Sequence, residues 1–366
     1  MKMKTTILRL RLRPAGPNLY RLRNHSTAPT HPEKKLTEDP RLKELGRTLS
    51  DEFSTIRENY RKPKNPIVLC HGLLGFKELR LAGQMLPGIA YWRGITEVLT
   101  ANGVEVITTT VPASGSIEVR AKALAAEIEQ ELKGRSVNLI GHSMLLLDFQ
   151  RRWWVGATYA NALPPHRGID ARYMISELKP TNFKVLSLTT VATPHRGSSF
   201  ADYMLDLIGS TSPAPAPAPA LSQLHRTNPP PEERLPSVYA AVESLGLETG
   251  AFAQLTTHYM EKFNKLILDD PNVRYFSYGA MAKPGIMSVF RQSHRIIEEK
   301  EGPNDGLVSV KSAQWGTYKG TLVGPTHLGI INWTNRFWWM VTGNKATFNA
   351  IAFYCDIADM LAEEGL

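Results

Sequence analysis

Apolar residues occur in two patterns along the chain, as short continuous runs and as longer stretches in which they recur every three or four positions. The continuous runs predict buried strands at 67–70, 104–110, 137–140, 185–191, 273–278 and 321–323. The spaced stretches predict amphipathic helices at 41–60, 91–101, 117–132, 252–266 and 348–361. Because strands and helices alternate, we expect an α/β protein with a mostly parallel sheet and helices on both faces.

Two of these helices have recognisable ends. The helix at 117–132 follows Ser116, a good N-cap residue, and stops before Gly134. The helix at 41–60 is ended by Pro63 and Pro66, since proline cannot donate the next backbone hydrogen bond.

A serine follows the apolar run at 137–140, in the sequence Gly141-His142-Ser143-Met144. A strand that ends in Gly-x-Ser-x, turns sharply and leads into a helix is how an α/β-hydrolase exposes its nucleophile. The complete motif ends in a second glycine, because a side chain at that position would crowd the strand. Leu145 stands there instead, so the motif is incomplete in this chain.

The incomplete motif is explained if residues 145–167 are an insertion. Joining Met144 to Gly168 restores a complete nucleophile elbow followed by a helix start at 168–176. We interpret the 23-residue segment as a retained intron or a gene-model error, although its first residues could also form a substitute helix. Transcript sequencing tests this hypothesis, because codons for 145–167 in every mature message would contradict it.

Glycines also follow the apolar run at 67–70, in His71-Gly72-Leu73-Leu74-Gly75. Such a loop lets a backbone N–H approach the substrate oxygen closely, so we expect it to form part of an oxyanion hole. The alternative is an ordinary glycine-rich turn.

A serine nucleophile needs a histidine base and an acid, which follow it in the chain order Ser, Asp, His. Asp305 and His327 fit this order, and both lie in loops that follow strands. The alternative acids and histidines fit less well. Asp269 and Asp270 precede their strand, whereas His195 and His294 precede the favoured acid.

The positive charge is concentrated at the start of the chain. Residues 1–30 contain seven basic residues and no acidic one, so they carry seven of the net +9 charges. The remainder has no nucleic-acid-binding footprint, and we expect no nucleic-acid partner. We interpret 1–37 as a mitochondrial targeting segment. A disordered basic tail, or one that binds an acidic membrane surface, is the alternative.

The remaining residues, 38–366, are expected to form one hydrolase domain. Proline and alanine alternate at 213–219, and we interpret 205–248 as a lid or a plain linker within it. No run of 18 apolar residues occurs, so we predict no transmembrane helix. Two cysteines are too few for a disulfide framework.

Five motifs together resemble the bacterial triacylglycerol lipases of the Pseudomonas and Burkholderia type and, with the basic leader, fungal mitochondrial triacylglycerol lipases. They are His71–Gly75, Gly141–Met144, Thr193–Ser198, Asn304–Ser309 and His327-Leu328. The resemblance implies an α/β-hydrolase fold, lipid ester substrates and contact with a lipid surface. It also implies a triad of Ser143, Asp305 and His327, with Leu73 and Met144 as oxyanion donors.

The resemblance does not extend to a metal site. The bacterial enzymes bind calcium through an acid just after the His-Leu pair, where this chain has Gly329 and Ile330. We therefore expect no cofactor or metal. A serine lipase or esterase is the first hypothesis. The alternatives are a phospholipase or lipid acyltransferase with the same triad, and a lipid-binding hydrolase fold impaired by the insertion.

Overall fold

A computed structural model describes most of the chain from residue 46 onward. The described residues are 46–50, 53, 55–70, 78–79, 89–109, 116–142, 167–209, 253–285, 288, 290–332 and 348–366. The leader at 1–37, the insertion up to residue 166 and most of the excursion at 205–248 lie outside them. So do three predicted site residues, Leu73, Ser143 and Met144.

Nine strands form in the described residues. They are β1 Thr48–Leu49, β2 Ile67–Cys70, β3 Glu78–Leu79, β4 Ile89–Ala90, β5 Val106–Thr109, β6 Ser136–His142, β7 Lys184–Val191, β8 Arg274–Met281 and β9 Thr317–Val323. Seven of them make one sheet in the order β1-β9-β8-β7-β6-β2-β5, and every neighbouring pair is parallel. β3 and β4 pair with each other in a separate antiparallel hairpin. The predicted parallel sheet is confirmed.

Eight α-helices occur in the described residues. They are α1 Ile95–Ala101, α2 Ile117–Leu132, α3 Arg167–Tyr173, α4 Ser199–Gly209, α5 Thr257–Leu266, α6 Arg291–Lys300, α7 Val310–Ala313 and α8 Ala350–Glu363. α3 continues into a single π-helical turn at Met174–Leu178. None of the helices in these residues has the length and hydrophobicity that a membrane crossing requires.

The direction of strand addition reverses between β2 and β6. The chain passes from β2 to the edge strand β5, returns to β6 on the other side of β2, and then adds β7, β8 and β9 outward. Ligands of open α/β sheets bind at the carboxyl edge where this reversal occurs. Because Cys70 pairs with Gly141, β2 and β6 end side by side at that edge.

The helix predicted at 41–60 is wrong for the described residues. Thr48 and Leu49 instead form an edge strand that pairs with β9, and no helix occurs in the described residues of 46–60. Leu49 and Phe53 are buried as the spacing required, but the pairing satisfies backbone groups of β9 that a helix would have left open. Apolar spacing therefore identified two buried residues, while Ile56 of the same pattern is exposed and the element at 48–49 is a strand.

The other predicted helices and strands are confirmed in the described residues, with ends shifted by up to five residues. α2 has the predicted bounds, and its N-cap Ser116 accepts a hydrogen bond from the backbone N–H of Val119 at 3.5 Å. Gly134 beyond its end has a φ of +78°, a conformation that favours glycine. The excursion predicted at 205–248 starts too early, because α4 continues through residue 209.

Candidate active site

Asp305 and His327 form a buried hydrogen-bonded pair. The Nδ1 atom of His327 lies 2.6 Å from Oδ2 of Asp305, and neither residue is accessible to solvent. A second bond joins their backbones, since the N–H of His327 donates to the Asp305 carbonyl at 3.0 Å. The structure thus brings together the acid and the base that the chain order selected.

The loop around Asp305 fixes the direction of its carboxylate. Oδ1 accepts the backbone N–H groups of Leu307 at 3.0 Å and of Val308 at 2.9 Å, which leaves Oδ2 for the histidine. Gly306 permits this tight loop, because its φ is +107° and a Cβ there would lie 2.6 Å from Phe290. The carboxylate is held by three donors and cannot rotate without losing bonds.

The other imidazole nitrogen of His327, Nε2, is available to accept a proton. Nε2 is buried and has no hydrogen-bond partner among the described residues. Because a carboxylate can only accept, Nδ1 carries the proton and Nε2 is the basic nitrogen. A neighbouring hydroxyl could give its proton to this atom.

The predicted nucleophile Ser143 and the predicted oxyanion donors Leu73 and Met144 lie outside the described residues. Ser143 directly follows His142, the last residue of β6, and Leu73 lies three residues beyond the end of β2. Their side chains and backbone lie outside the described residues. What the structure does describe is that their two strands are neighbours and end at one edge.

Gly168, at the start of α3, meets the requirement for the last residue of a nucleophile elbow. A Cβ on Gly168 would lie 2.4 Å from Oγ1 and 2.5 Å from Cγ2 of Thr193, which follows β7. No side chain fits there. This crowding agrees with the interpretation that Gly168 is the elbow glycine, separated from Ser143 by the inserted residues.

Two buried arginines hold α3 in place. Arg120 of α2 donates two hydrogen bonds to Asp170, from Nε at 3.0 Å and from Nη2 at 2.7 Å, and both side chains are buried. Arg172 lies over the ring of Trp315, 3.6 Å from its centroid, and donates to Asn264 at 2.9 Å. Arg120 and Asp170 compensate each other's buried charge. Burial lowers the pKa of Arg172 to about 10, although Oδ1 of Asp269 lies 3.6 Å from its Nε.

His195 belongs to this packing network and not to the Asp305 site. Its Nε2 lies 2.8 Å from the hydroxyl of Thr190, its Nδ1 lies 3.4 Å from Arg172, and its ring stacks on Trp315. Burial, with the charges of Arg172 and Arg196 adding to it, lowers the pKa of His195 well below its ordinary value. No hydrogen bond joins it to a carboxylate in the described part of the chain, so it is unsuited to act as a base.

The alternative acids lie away from the histidine pair. Asp269 accepts a hydrogen bond from the indole N–H of Trp315 at 2.8 Å, and Asp270 accepts the backbone N–H of Asn272. Both precede β8, at the opposite edge of the sheet from Asp305. His294 lies on α6, 4.0 Å from Glu298.

A second imidazole lies beside His327 and was not singled out from the sequence. The rings of His142 and His327 have centroids 4.9 Å apart, and Nδ1 of His142 lies 2.7 Å from the hydroxyl of Tyr91. Burial, reinforced by the neighbouring His327, lowers the pKa of His142 well below its ordinary value. The residue is therefore neutral. Its position directly before Ser143 was the one signal that could have drawn attention to it.

No metal centre is evident in this region. Within the described ranges, no three His, Cys, Asp or Glu side chains come together as metal ligands. Gly329–Ile331, where the bacterial enzymes place a calcium ligand, form a short 3₁₀ turn.

Sequence comparison relates the chain to triacylglycerol lipases. No protein-family model matches it. Triacylglycerol lipase 2 of Saccharomyces cerevisiae is 34% identical over 360 residues, which covers 85% of this chain and 95% of the yeast protein. A triacylglycerol lipase of Vibrio cholerae is 29% identical over 294 residues, covering 75% of this chain and 82% of that protein.

Structure comparison supports the same fold. A metagenomic carboxyl esterase superposes with a TM-score of 0.52 at 16% identity, covering 85% of this chain and 79% of the esterase. The Staphylococcus hyicus lipase superposes with a TM-score of 0.50 at 21% identity, covering 84% of this chain and 98% of the lipase. At these identities the likeness concerns the fold alone, which is the α/β-hydrolase fold. Given the yeast relative, the chain belongs to the triacylglycerol lipase family of carboxylic ester hydrolases.

Proposed function

We propose that this protein hydrolyses the ester bonds of acylglycerols through Ser143, His327 and Asp305. The observation that carries the proposal is the buried Asp305–His327 pair, which leaves the basic Nε2 of His327 available. The yeast and Vibrio relatives are triacylglycerol lipases, and this supports the choice of substrate.

The proposed reaction has two halves. Ser143 attacks the ester carbonyl while Nε2 of His327 takes its proton, and the imidazolium then protonates the departing alcohol. Water attacks the acyl-enzyme while His327 accepts a proton from it. The bond between the acyl carbon and Oγ of Ser143 then breaks, the imidazolium returns the proton to Oγ, and the carboxylic acid leaves. Asp305 keeps the proton of the neutral imidazole on Nδ1 and stabilises the imidazolium, because its carboxylate cannot turn away.

The oxyanion that forms in each half needs hydrogen-bond donors. We assign this role to the backbone N–H groups of Leu73 and Met144. The parallel pairing of Cys70 with Gly141 supports this assignment, since β2 and β6 end at adjacent points of the sheet edge. Loss of one such donor typically costs about 2.7–4 kcal/mol of transition-state stabilisation.

The experiment compares the purified chain with its Ser143→Ala variant, first on a short-chain chromogenic ester and then on emulsified triacylglycerol and phospholipid. Hydrolysis that disappears in the variant, together with labelling of Ser143 by a covalent serine-hydrolase probe, is the expected result. Preference for phospholipid would favour the phospholipase alternative. Equal background rates and no labelling would mean that this form is inactive.

The insertion gives a second arm of the same experiment. We propose that a chain lacking 145–167, in which Met144 joins Gly168, has the contiguous elbow and is at least as active as the full chain. The fit of Gly168 against Thr193 supports this proposal. A deleted chain that folds but neither hydrolyses esters nor reacts with the probe would contradict it.

We further propose that residues 1–37 direct the protein to mitochondria, where it acts at a lipid surface. The support is the acid-free, arginine-rich composition of 1–30. A fluorescent protein fused to 1–37 should enter mitochondria, and the same fusion with its arginines changed to glutamine should not. Mature protein that retains 1–30 and binds acidic vesicles would support a membrane-binding tail instead.

A further inference from the structure

Thr193–Ser198 is a sequence motif that the proposed reaction leaves without a role. It follows β7 and leads into α4, and its last residue, Ser198, is buried. The hydroxyl of Ser198 donates a hydrogen bond to the backbone carbonyl of Leu307 at 3.0 Å. Leu307 belongs to Asn304–Ser309, the acid loop, which carries Asp305. The motif therefore contacts the candidate site through Ser198.

The bond from Ser198 ends on a peptide unit that also binds Asp305. The Leu307 carbonyl and the Val308 N–H belong to the same peptide unit, and this N–H donates to Oδ1 of Asp305 at 2.9 Å. The carbonyl and the N–H of a trans peptide point in opposite directions within one rigid plane. Ser198 thus binds one side of the plane and Asp305 the other, and the Ser198 bond fixes the direction in which the N–H points.

Ser198 is itself held in place by the backbone around it. Its N–H donates to the Leu255 carbonyl at 2.9 Å. The next N–H, that of Ser199, donates to Oε1 of Glu301 at 2.6 Å, and Oε2 of Glu301 accepts the hydroxyl of Ser309. Glu301 therefore joins the start of α4 to the end of the acid loop, and the hydroxyl of Ser198 is presented from a fixed position.

We propose that Ser198 is a positioning residue for the catalytic acid. A chain of hydrogen bonds runs from its hydroxyl through the 307–308 peptide unit to Oδ1 of Asp305, and from Oδ2 of Asp305 to Nδ1 of His327. Hydrogen bonds in such a chain polarise one another, so the Ser198 bond both orients the peptide N–H and strengthens its hold on the carboxylate. The inference rests on the proposed function, in which Asp305 orients His327.

The alternative is that Ser198 only caps α4, because its Oγ also accepts the N–H of Phe200 at 3.3 Å. A cap needs only to accept a hydrogen bond, whereas Ser198 also donates one into the acid loop. Ser312 provides a matched comparison, since it is a second buried serine that contacts the motif. Its Oγ accepts the N–H of Arg196 at 3.1 Å and donates to the Gly197 carbonyl at 2.5 Å. Neither of these bonds reaches the acid loop.

The experiment measures kcat and KM for ester hydrolysis by the full chain and by its Ser198→Ala and Ser312→Ala variants. Without the Ser198 donor the 307–308 peptide unit can turn, so we expect kcat to fall about tenfold with KM unchanged, as for the loss of one hydrogen bond. Ser312→Ala should keep the kcat of the parent chain. A Ser198→Ala chain whose kcat matches that of Ser312→Ala would overturn the proposal.

Two further variants make the result specific. In an Asp305→Asn background, Ser198→Ala should not lower kcat further, because the carboxylate that Ser198 helps to orient is absent. An equal effect in both backgrounds would refute the positioning role. Ser198→Thr keeps the hydroxyl and should retain the parent kcat, and it remains a test if the alanine variant does not fold. A threonine variant that folds, as judged by circular dichroism, but loses tenfold in kcat would count against the proposal.

A measurement that needs no activity separates this inference from the proposed function. The proton between Nδ1 of His327 and Oδ2 of Asp305 should give a downfield resonance in the proton NMR spectrum of the parent chain. It should move upfield in Ser198→Ala, because the bond weakens, and stay in place in Ser312→Ala. An unmoved resonance in Ser198→Ala would refute the role of Ser198 even if no ester is hydrolysed. Activity that does not depend on Ser143 would instead refute the proposed function.

Discussion

Gly168→Ala is expected to destabilise the protein, although alanine is ordinarily the better helix residue. An added Cβ would lie 2.4, 2.5 and 2.9 Å from three side-chain atoms of Thr193. All three distances are below 3.0 Å, the lower limit for contacts of real Cβ atoms. Either α3 or the segment after β7 must move. α3 resists this movement because Asp170, two residues further along, is bound by both Nε and Nη2 of Arg120.

The magnitude follows from two opposing effects. Inserting a methyl group into a well-packed site costs about 1–3 kcal/mol. Replacing glycine by alanine within a helix gains about 1 kcal/mol at most, and less in a first turn. We therefore expect the free energy of unfolding of Gly168→Ala to fall by about 1–2 kcal/mol. A site with open space would show the opposite sign.

Urea unfolding of Gly168→Ala, Thr193→Ala and the double variant tests this reasoning. Thr193→Ala removes Oγ1 and Cγ2, the two atoms closest to the new methyl group. The loss of unfolding free energy in the double variant should therefore be smaller than the sum of the two single losses by at least about 0.5 kcal/mol, the threshold for coupled sites. Gly285→Ala is the control, because a Cβ there meets nothing within 4 Å. Strictly additive effects, or a Gly168→Ala chain as stable as its parent, would refute the close approach of α3 to Thr193.

Three further predictions concern single side chains. Asp305→Asn would present an N–H to Nδ1 of His327 and force the wrong tautomer, so kcat should fall about 10⁴-fold in ester assays, while Asp270→Asn at the other sheet edge should leave it unchanged. Arg120→Met leaves its buried carboxylate partner uncompensated and should cost about 3–5 kcal/mol in denaturant unfolding; a loss below about 1 kcal/mol would contradict the burial of that pair. Hydrogen bonds from the Arg61 guanidinium lower the pKa of Asp359 to about 2, so its contribution to stability is complete above its unfolded value near pH 4 and disappears as the pH falls toward about 2. Denaturant unfolding midpoints of the parent chain should therefore fall between pH 4 and pH 2, and this fall should be smaller in Arg61→Met.

Local pattern was sufficient for much of the fold. The bounds of α2 could be predicted from its cap and its spacing. The continuous apolar runs became parallel strands, of which β2, β6 and β8 are buried along nearly their whole length while the edge strand β5 is mostly half-buried. Spacing failed at residues 48–49, where the preference for a helix was overridden by the open edge of β9, a feature that is distant in sequence. α6 was missed because only a few of its residues are apolar and buried.

The candidate site likewise has one contact that the sequence predicts and others that it does not. The pairing of Asp305 with His327 could be predicted from chain order, since both follow strands that end at one sheet edge. The contact between His142 and His327 could not, because β8 and β7 lie between β9 and β6, and the contact depends on how the loop after β9 reaches the end of β6. Nor does local sequence indicate that Tyr91, 51 positions before His142, reaches its ring.

The anchoring of α3 has a consequence for how an insertion in this protein would be detected. With residues 145–167 present, the path from Ser143 to Gly168 has 25 residue-to-residue steps where it would otherwise have two. This raises the entropy cost of loop closure by only on the order of 2 kcal/mol, since each doubling adds about 0.6 kcal/mol. The bidentate bond between Arg120 and Asp170 and the contact of Gly168 with Thr193 are made on the far side of that connection. Both can form whether or not the turn at Ser143 is intact. Thermal stability therefore does not report on catalytic competence in this region. A sharp melting transition would show that the sheet and α3 are folded, but it would not show that Ser143 is placed to react.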